Sequence, residues 1–149
     1  MAQEAVDSDV DLHVPAHRRE LSPRTLCVIA VGGALGALAR YGVGLLLPTV
    51  PGRFPWGTFA INVVGCLLIG VLMVLVTDVF TGRPLLRPFL GVGVLGGFTT
   101  FSTYVNEVRG LLRPGSVPVA FGYLAGTLVS ALLAVLVGMV LARKLWVLR

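Results

Sequence analysis

Gly96-Gly97-Phe98-Thr99-Thr100-Phe101-Ser102-Thr103-Tyr104 lies inside the third of four long apolar segments, where an unbroken membrane helix would otherwise run. Paired glycines followed by four aliphatic hydroxyls between Thr99 and Thr103 suit such a helix poorly. Glycine gives up helix stability, and Thr and Ser offer the backbone competing hydrogen bonds. In hydrocarbon an unpaired N–H or C=O is costly, so irregular backbone persists only where protein, ion or water satisfies it. One reading is a broken helix whose freed polar groups face an ion or a polar passage. The other is a helix that packs closely through Gly96 and Gly97 while its hydroxyls bond back one turn. The nine residues leave both open.

Working outward, the composition is that of an integral membrane protein. The chain is 56% hydrophobic and 13% charged over 149 residues, with a mean hydropathy of +0.90; a soluble domain carries about a quarter charged residues. Cys27 and Cys66 both fall in apolar segments and suggest neither a disulfide framework nor a metal site. His13 and His17 sit in the polar N-terminal tail, which leaves no histidine for chemistry within the membrane. The net charge of +5 reads as membrane anchoring, because the arginines are scattered at segment ends.

Residues 1–22 form a polar tail, acidic and then basic, without the pattern of a signal peptide and expected to be largely disordered. Residues 23–149 form the membrane domain. Ser22-Pro23 is a good helix start, and spans are expected over about 25–47, 57–77, 89–112 and 117–142. Gly32, Gly36, Arg40 and Gly44 recur every four residues, a small-residue stripe suited to close packing. Gly122, Gly126, Ser130, Ala134 and Gly138 make a second stripe, and Tyr123, Thr127 and Ser130 share one face. Arg40 either snorkels to the interface or faces an aqueous vestibule. Asn62 is the one strongly polar residue of the second span, and it either ties helices together or lines a pore. No paired carboxylate, phosphate loop or metal-ligand cluster appears within the spans, so nothing points to an enzyme.

Three separated motifs carry a family resemblance. Gly32-Gly33-Ala34-Leu35-Gly36-Ala37-Leu38-Ala39-Arg40-Tyr41, then Gly57-Thr58-Phe59-Ala60-Ile61-Asn62-Val63-Val64-Gly65, then Gly96 to Tyr104 with Glu107, closely resemble the CrcB/Fluc family of fluoride channels. The match covers roughly residues 25–143. The resemblance implies an all-α membrane protein of four transmembrane helices, the third broken mid-membrane, assembling as an antiparallel dimer with two fluoride pathways. It also implies a structural Na⁺ at the dimer centre, held by the backbone carbonyls of Gly96 and Thr99. The family's pathway residues fall on Asn62, Phe101, Ser102, Thr103, Tyr104, Tyr123 and Thr127. Its vestibule arginine falls on Arg40, and Glu107 matches a carboxylate beyond the break.

The implied function is passive export of fluoride across the cell membrane; the alternative is an accessory subunit of a heterodimeric channel, conducting poorly alone. Fluoride holds its water tightly, so a channel must offer replacement donors, which Asn62 and the hydroxyls supply. An anion should meet Phe101 at its positive ring edge. Tyr104 departs from the phenylalanine usual in the family, either adding a donor or weakening its pathway. The flank charges bear on pairing. Arg18, Arg19, Arg24, Arg83, Arg87, Arg143, Lys144 and Arg149 fall on the side of the termini, eight against the three of Arg53, Arg109 and Arg113. That bias favours both termini in the cytoplasm. It leaves open whether the antiparallel partner is a second copy or a paired homologue.

Overall fold

The computed structural model describes residues 22–147, so the tail with His13, His17, Arg18 and Arg19, and Arg149 at the other end, lie outside the described residues. Helix α1 spans Pro23–Leu46. Ser22 caps it as its sequence suggests: the Ser22 Oγ accepts from the Thr25 N–H at 3.3 Å, and Pro23 takes the first position, where no N–H is needed. Helix α2 spans Trp56–Val74 and continues in a wider, π-type winding over Leu75–Val79. Helix α3 is π-wound over Arg87–Leu95 and closes with an α-turn at Gly96–Phe98. Helix α4 spans Phe101–Leu111, and α5 spans Val117–Ala142 with a π-wound extension Arg143–Val147. No strand occurs among the described residues.

Pro23–Leu46, Trp56–Val79 and Val117–Val147 are each long and apolar enough to cross a membrane. They match the first, second and last expected spans to within a few residues at each end. The segment expected as a third span over 89–112, with a break in its middle, comprises α3 and α4 with a two-residue linker between them. The glycines are not where the winding stops. Gly96 has ordinary helical dihedrals, and Thr99 and Thr100 are the extended residues, with ψ of 161° and 126°. Nothing in the sequence marks the π-type winding of α3 as plainly as a cap marks a helix start. Pro88 removes one backbone donor near its start, and at its end the Gly96 N–H reaches back to the Gly91 carbonyl, five residues earlier.

Of the glycine stripe on α1, Gly32 and Gly36 pack closely as expected, while Gly44 meets open space. A methyl group on Gly32 would meet the Phe89 carbonyl, and one on Gly36 would meet that of Val94, so α1 and α3 approach backbone to backbone. Gly97 is pressed against the Gly33 carbonyl in the same way. Gly70 and Gly138 do the same between α2 and α5, against Val135 and Leu67. Only the lower half of the α5 stripe is used, since Gly122 and Gly126 face open space. Leucines such as Leu38, Leu45, Leu128 and Leu132 point outward, which suits a hydrocarbon solvent. An aromatic core forms where α4 meets α5: Tyr104, Leu111, Ala120 and Tyr123, with Phe54, Phe59, Val108 and Val119 against them.

Candidate functional site

The linker between α3 and α4 has backbone groups that no helix satisfies, and Asn62 of α2 satisfies them. The Asn62 Nδ2 donates to the Thr100 carbonyl at 3.0 Å, and the Thr100 N–H donates to Asn62 Oδ1 at 2.9 Å. One side-chain amide thus stands in for a peptide partner on both edges of Thr100. This is the helix-tying role among the two open for Asn62. It does not exhaust the residue, because Nδ2 carries a second proton. Thr100 in turn caps α4, its Oγ1 accepting from the Thr103 N–H at 3.2 Å. The Thr99 hydroxyl bonds back to the Leu95 carbonyl at 3.0 Å, and Arg40 Nε donates to the Gly97 carbonyl at 3.1 Å. A guanidinium there also complements the negative end of α3.

Two cavities flank this linker, and Thr100 lies on the wall of both. The larger, about 330 Å³, is mostly apolar; Asn62, Cys66, Thr99, Phe101, Tyr104 and Thr127 lie on its wall, as does Gly96. Thr127 is 4% exposed, and its Oγ1 is buried without a hydrogen-bond partner. The smaller, about 170 Å³, is bordered by Arg40, Thr49, Thr58, Thr103 and Glu107. Glu107 is held by three hydroxyls: Thr49 and Thr58 each donate to Oε1 at 2.9 Å, and Tyr123 donates to Oε2 at 2.7 Å.

Most of the residues singled out in the sequence therefore gather at these two cavities. Phe101 is 77% exposed on the surface of the chain. Tyr104 is only 7% exposed, its ring 5.2 Å from that of Tyr123 and 6.0 Å from that of Phe101. The Tyr104 hydroxyl donates to the Leu124 carbonyl at 2.6 Å, so its single proton is engaged on α5. Tyr123 is fully buried in the aromatic core and lies on neither cavity wall. Ser102 is likewise on neither wall; it is exposed, with its Oγ 3.4 Å from that of Thr100. Sequence reasoning missed Thr49, Thr58 and Cys66. Thr58 stood inside a quoted motif, but nothing in the spacing ties Thr49 to a carboxylate 58 residues away.

The described residues thus form a helical, multi-pass membrane protein with amide, hydroxyl and guanidinium groups gathered around an extended linker. The profile of the family described as CrcB-like protein, Camphor Resistance (CrcB), matches residues 27–139, and the chain belongs to this family. It is 54% identical over 132 residues to the fluoride-specific ion channel FluC 2 of Nocardia farcinica, covering 89% of this chain and 94% of that one. It is 49% identical over 122 residues to FluC 2 of Streptomyces avermitilis, covering 80% and 77% of the two chains. FluC 1 of Streptomyces coelicolor is 50% identical over 119 residues, with 80% and 77% covered.

Proposed function

We propose that this chain is a passive, fluoride-selective channel that exports fluoride from the cytoplasm and performs no chemical step. The observation that carries the reading is the pair of cavities meeting at Thr100, in a chain so similar along its length to proteins named as fluoride-specific channels. A desolvating fluoride needs donors that are not already used. The second Nδ2 proton of Asn62 and the unpartnered Thr127 hydroxyl supply two on the larger cavity, which Phe101 also lines. Arg40, on the smaller cavity, is the vestibule charge that draws the anion in. Thr103 continues the polar wall, Ser102 meets the path from the exposed face, and Tyr104 lends its ring but not its engaged proton. Tyr123 acts from behind by holding Glu107. The relatives are named as channels in their own right, which gives the accessory-subunit alternative no support.

The active form in this reading is an antiparallel dimer in which α3 and α4 together make one interrupted span. A phenylalanine as exposed as Phe101 has only half of its surroundings in one protomer, and a second chain supplies the rest. The Na⁺ implied by the family fits the linker. In a continuous helix the Gly96 carbonyl would accept from Thr100, whose N–H goes to Asn62; the Thr99 carbonyl would accept from Thr103, whose N–H goes to Thr100 Oγ1. Both carbonyls are left as hard oxygen donors, the kind a Na⁺ takes. When bound, the ion would satisfy them and add a fixed positive charge beside an anion path.

Orientation follows from the flank charges, with both termini cytoplasmic in the favoured insertion. A fixed insertion calls for a paired homologue inserted the other way, and dual insertion for a second copy of this chain. Single cysteines at Val50→Cys and Val147→Cys, in a chain lacking Cys27 and Cys66, should each label from one side only when the chain is expressed alone. Equal labelling from both sides would show dual insertion and a partner of the same sequence. For the function itself, expression of this chain, with its homologue where one is needed, should restore growth on fluoride to bacteria lacking their own exporter. Sensitivity that stays at the level of the empty vector, with protein present in the membrane, contradicts the channel reading.

A further inference from the structure

Arg40 and Glu107 border the same small cavity and yet form no ion pair. Opposite charges on the wall of one small cavity attract in surroundings of low dielectric, so the absence of a pair needs a cause. The cause lies in the donors around the carboxylate. Thr49, Thr58 and Tyr123 approach it from three different elements and occupy both oxygens. Arg40 spends only Nε, on the Gly97 carbonyl, and its terminal amino groups make no hydrogen bond to the described residues. Thr58 and Tyr123 are buried within α2 and α5. Thr49 differs from them: it is exposed and belongs to the connection between α1 and α2.

That connection presents Thr49 rigidly. Pro48, Pro51 and Pro55 restrict its backbone, and Gly52 turns it at φ 78°. Phe54 anchors the connection, its ring 5.1 Å from that of Tyr123 and 5.4 Å from that of Phe59. We infer that Thr49 is a positioning residue for anion entry: its hydroxyl helps hold Glu107 against the wall, so that the terminal amino groups of Arg40 stay free to attract the anion. Without this donor the carboxylate gains freedom to turn toward Arg40, and the cavity loses net positive potential. The inference rests on the channel reading above.

The test is initial fluoride efflux from proteoliposomes containing the assembled channel, at low fluoride, in membrane-impermeant salt. At an ionic strength of about 0.01 M, Thr49→Val should lower efflux about threefold or more, because entry depends on the field of the vestibule. At about 1 M, where the screening length is ~3 Å, the variant and parent should converge. Thr49→Ser keeps the hydroxyl and should match the parent at both. In an Arg40→Gln background Thr49→Val should add nothing, since it acts through Arg40. Parental efflux by Thr49→Val at low salt would overturn the inference. So would a loss of equal size at both salts, or an undiminished loss in the Arg40→Gln background. A parent that moves no fluoride would overturn the channel reading itself.

Discussion

Asn62→Ala is expected to stop fluoride efflux and to lower the thermal stability of the folded protein at the same time. The substitution removes both partners of Thr100 at once, the Nδ2 donor to its carbonyl and the Oδ1 acceptor for its N–H. Each backbone group left unpaired in a dry setting costs about 1–3 kcal/mol, so the loss is of the order of a few kcal/mol in all. It also takes away the remaining Nδ2 proton, which the channel reading offers to the anion. Asn62→Asp separates the two consequences: it still accepts from the Thr100 N–H but no longer donates. Its melting temperature should lie between those of the parent and Asn62→Ala, while its efflux should be as low as that of Asn62→Ala. A melting curve in detergent and an efflux trace for each variant give the answer. An Asn62→Ala protein as stable and as active as the parent would remove this residue from both roles.

What the sequence made legible follows the reach of each signal. Local signals were read correctly: Ser22-Pro23 opens α1, and the positive φ values of Gly52 and Gly115 sit in the connections where proline and glycine cluster. Periodic signals also held, because Gly32 and Gly36 recur every four residues and meet the backbone of α3. The nine-residue stretch combined both of its readings. Gly97 packs closely and the Thr99 hydroxyl bonds back one turn, while Thr100 leaves the helix altogether. The sequence could not choose between them, since the choice depends on an amide 38 residues away that pairs with Thr100. Long-range partners escaped for the same reason. Thr49 and Thr58 converge on Glu107 only once α2 and α4 are packed, and Tyr123 joins them on the same carboxylate from α5. The π-type windings at Leu75–Val79, Arg87–Leu95 and Arg143–Val147 have no sequence signature as clear as a cap or a stripe.

Phe101 carries the second large effect. It is exposed on the surface of the chain and borders the larger cavity, so its ring is not needed to hold the fold together. Phe101→Ile keeps the bulk and the apolar character but removes the positive ring edge that an anion would meet. Folding, membrane insertion and assembly should therefore be close to those of the parent. Fluoride passage should fall by at least about tenfold, equivalent to ~1.4 kcal/mol on the barrier. The direct comparison is fluoride efflux from proteoliposomes holding equal amounts of assembled parent or Phe101→Ile channel, read with a fluoride electrode and repeated with chloride. Rapid fluoride efflux is expected from the parent, little from Phe101→Ile, and no chloride efflux from either. Fluoride efflux at the parental rate through Phe101→Ile, or chloride passing the parent as readily as fluoride, would contradict that expectation.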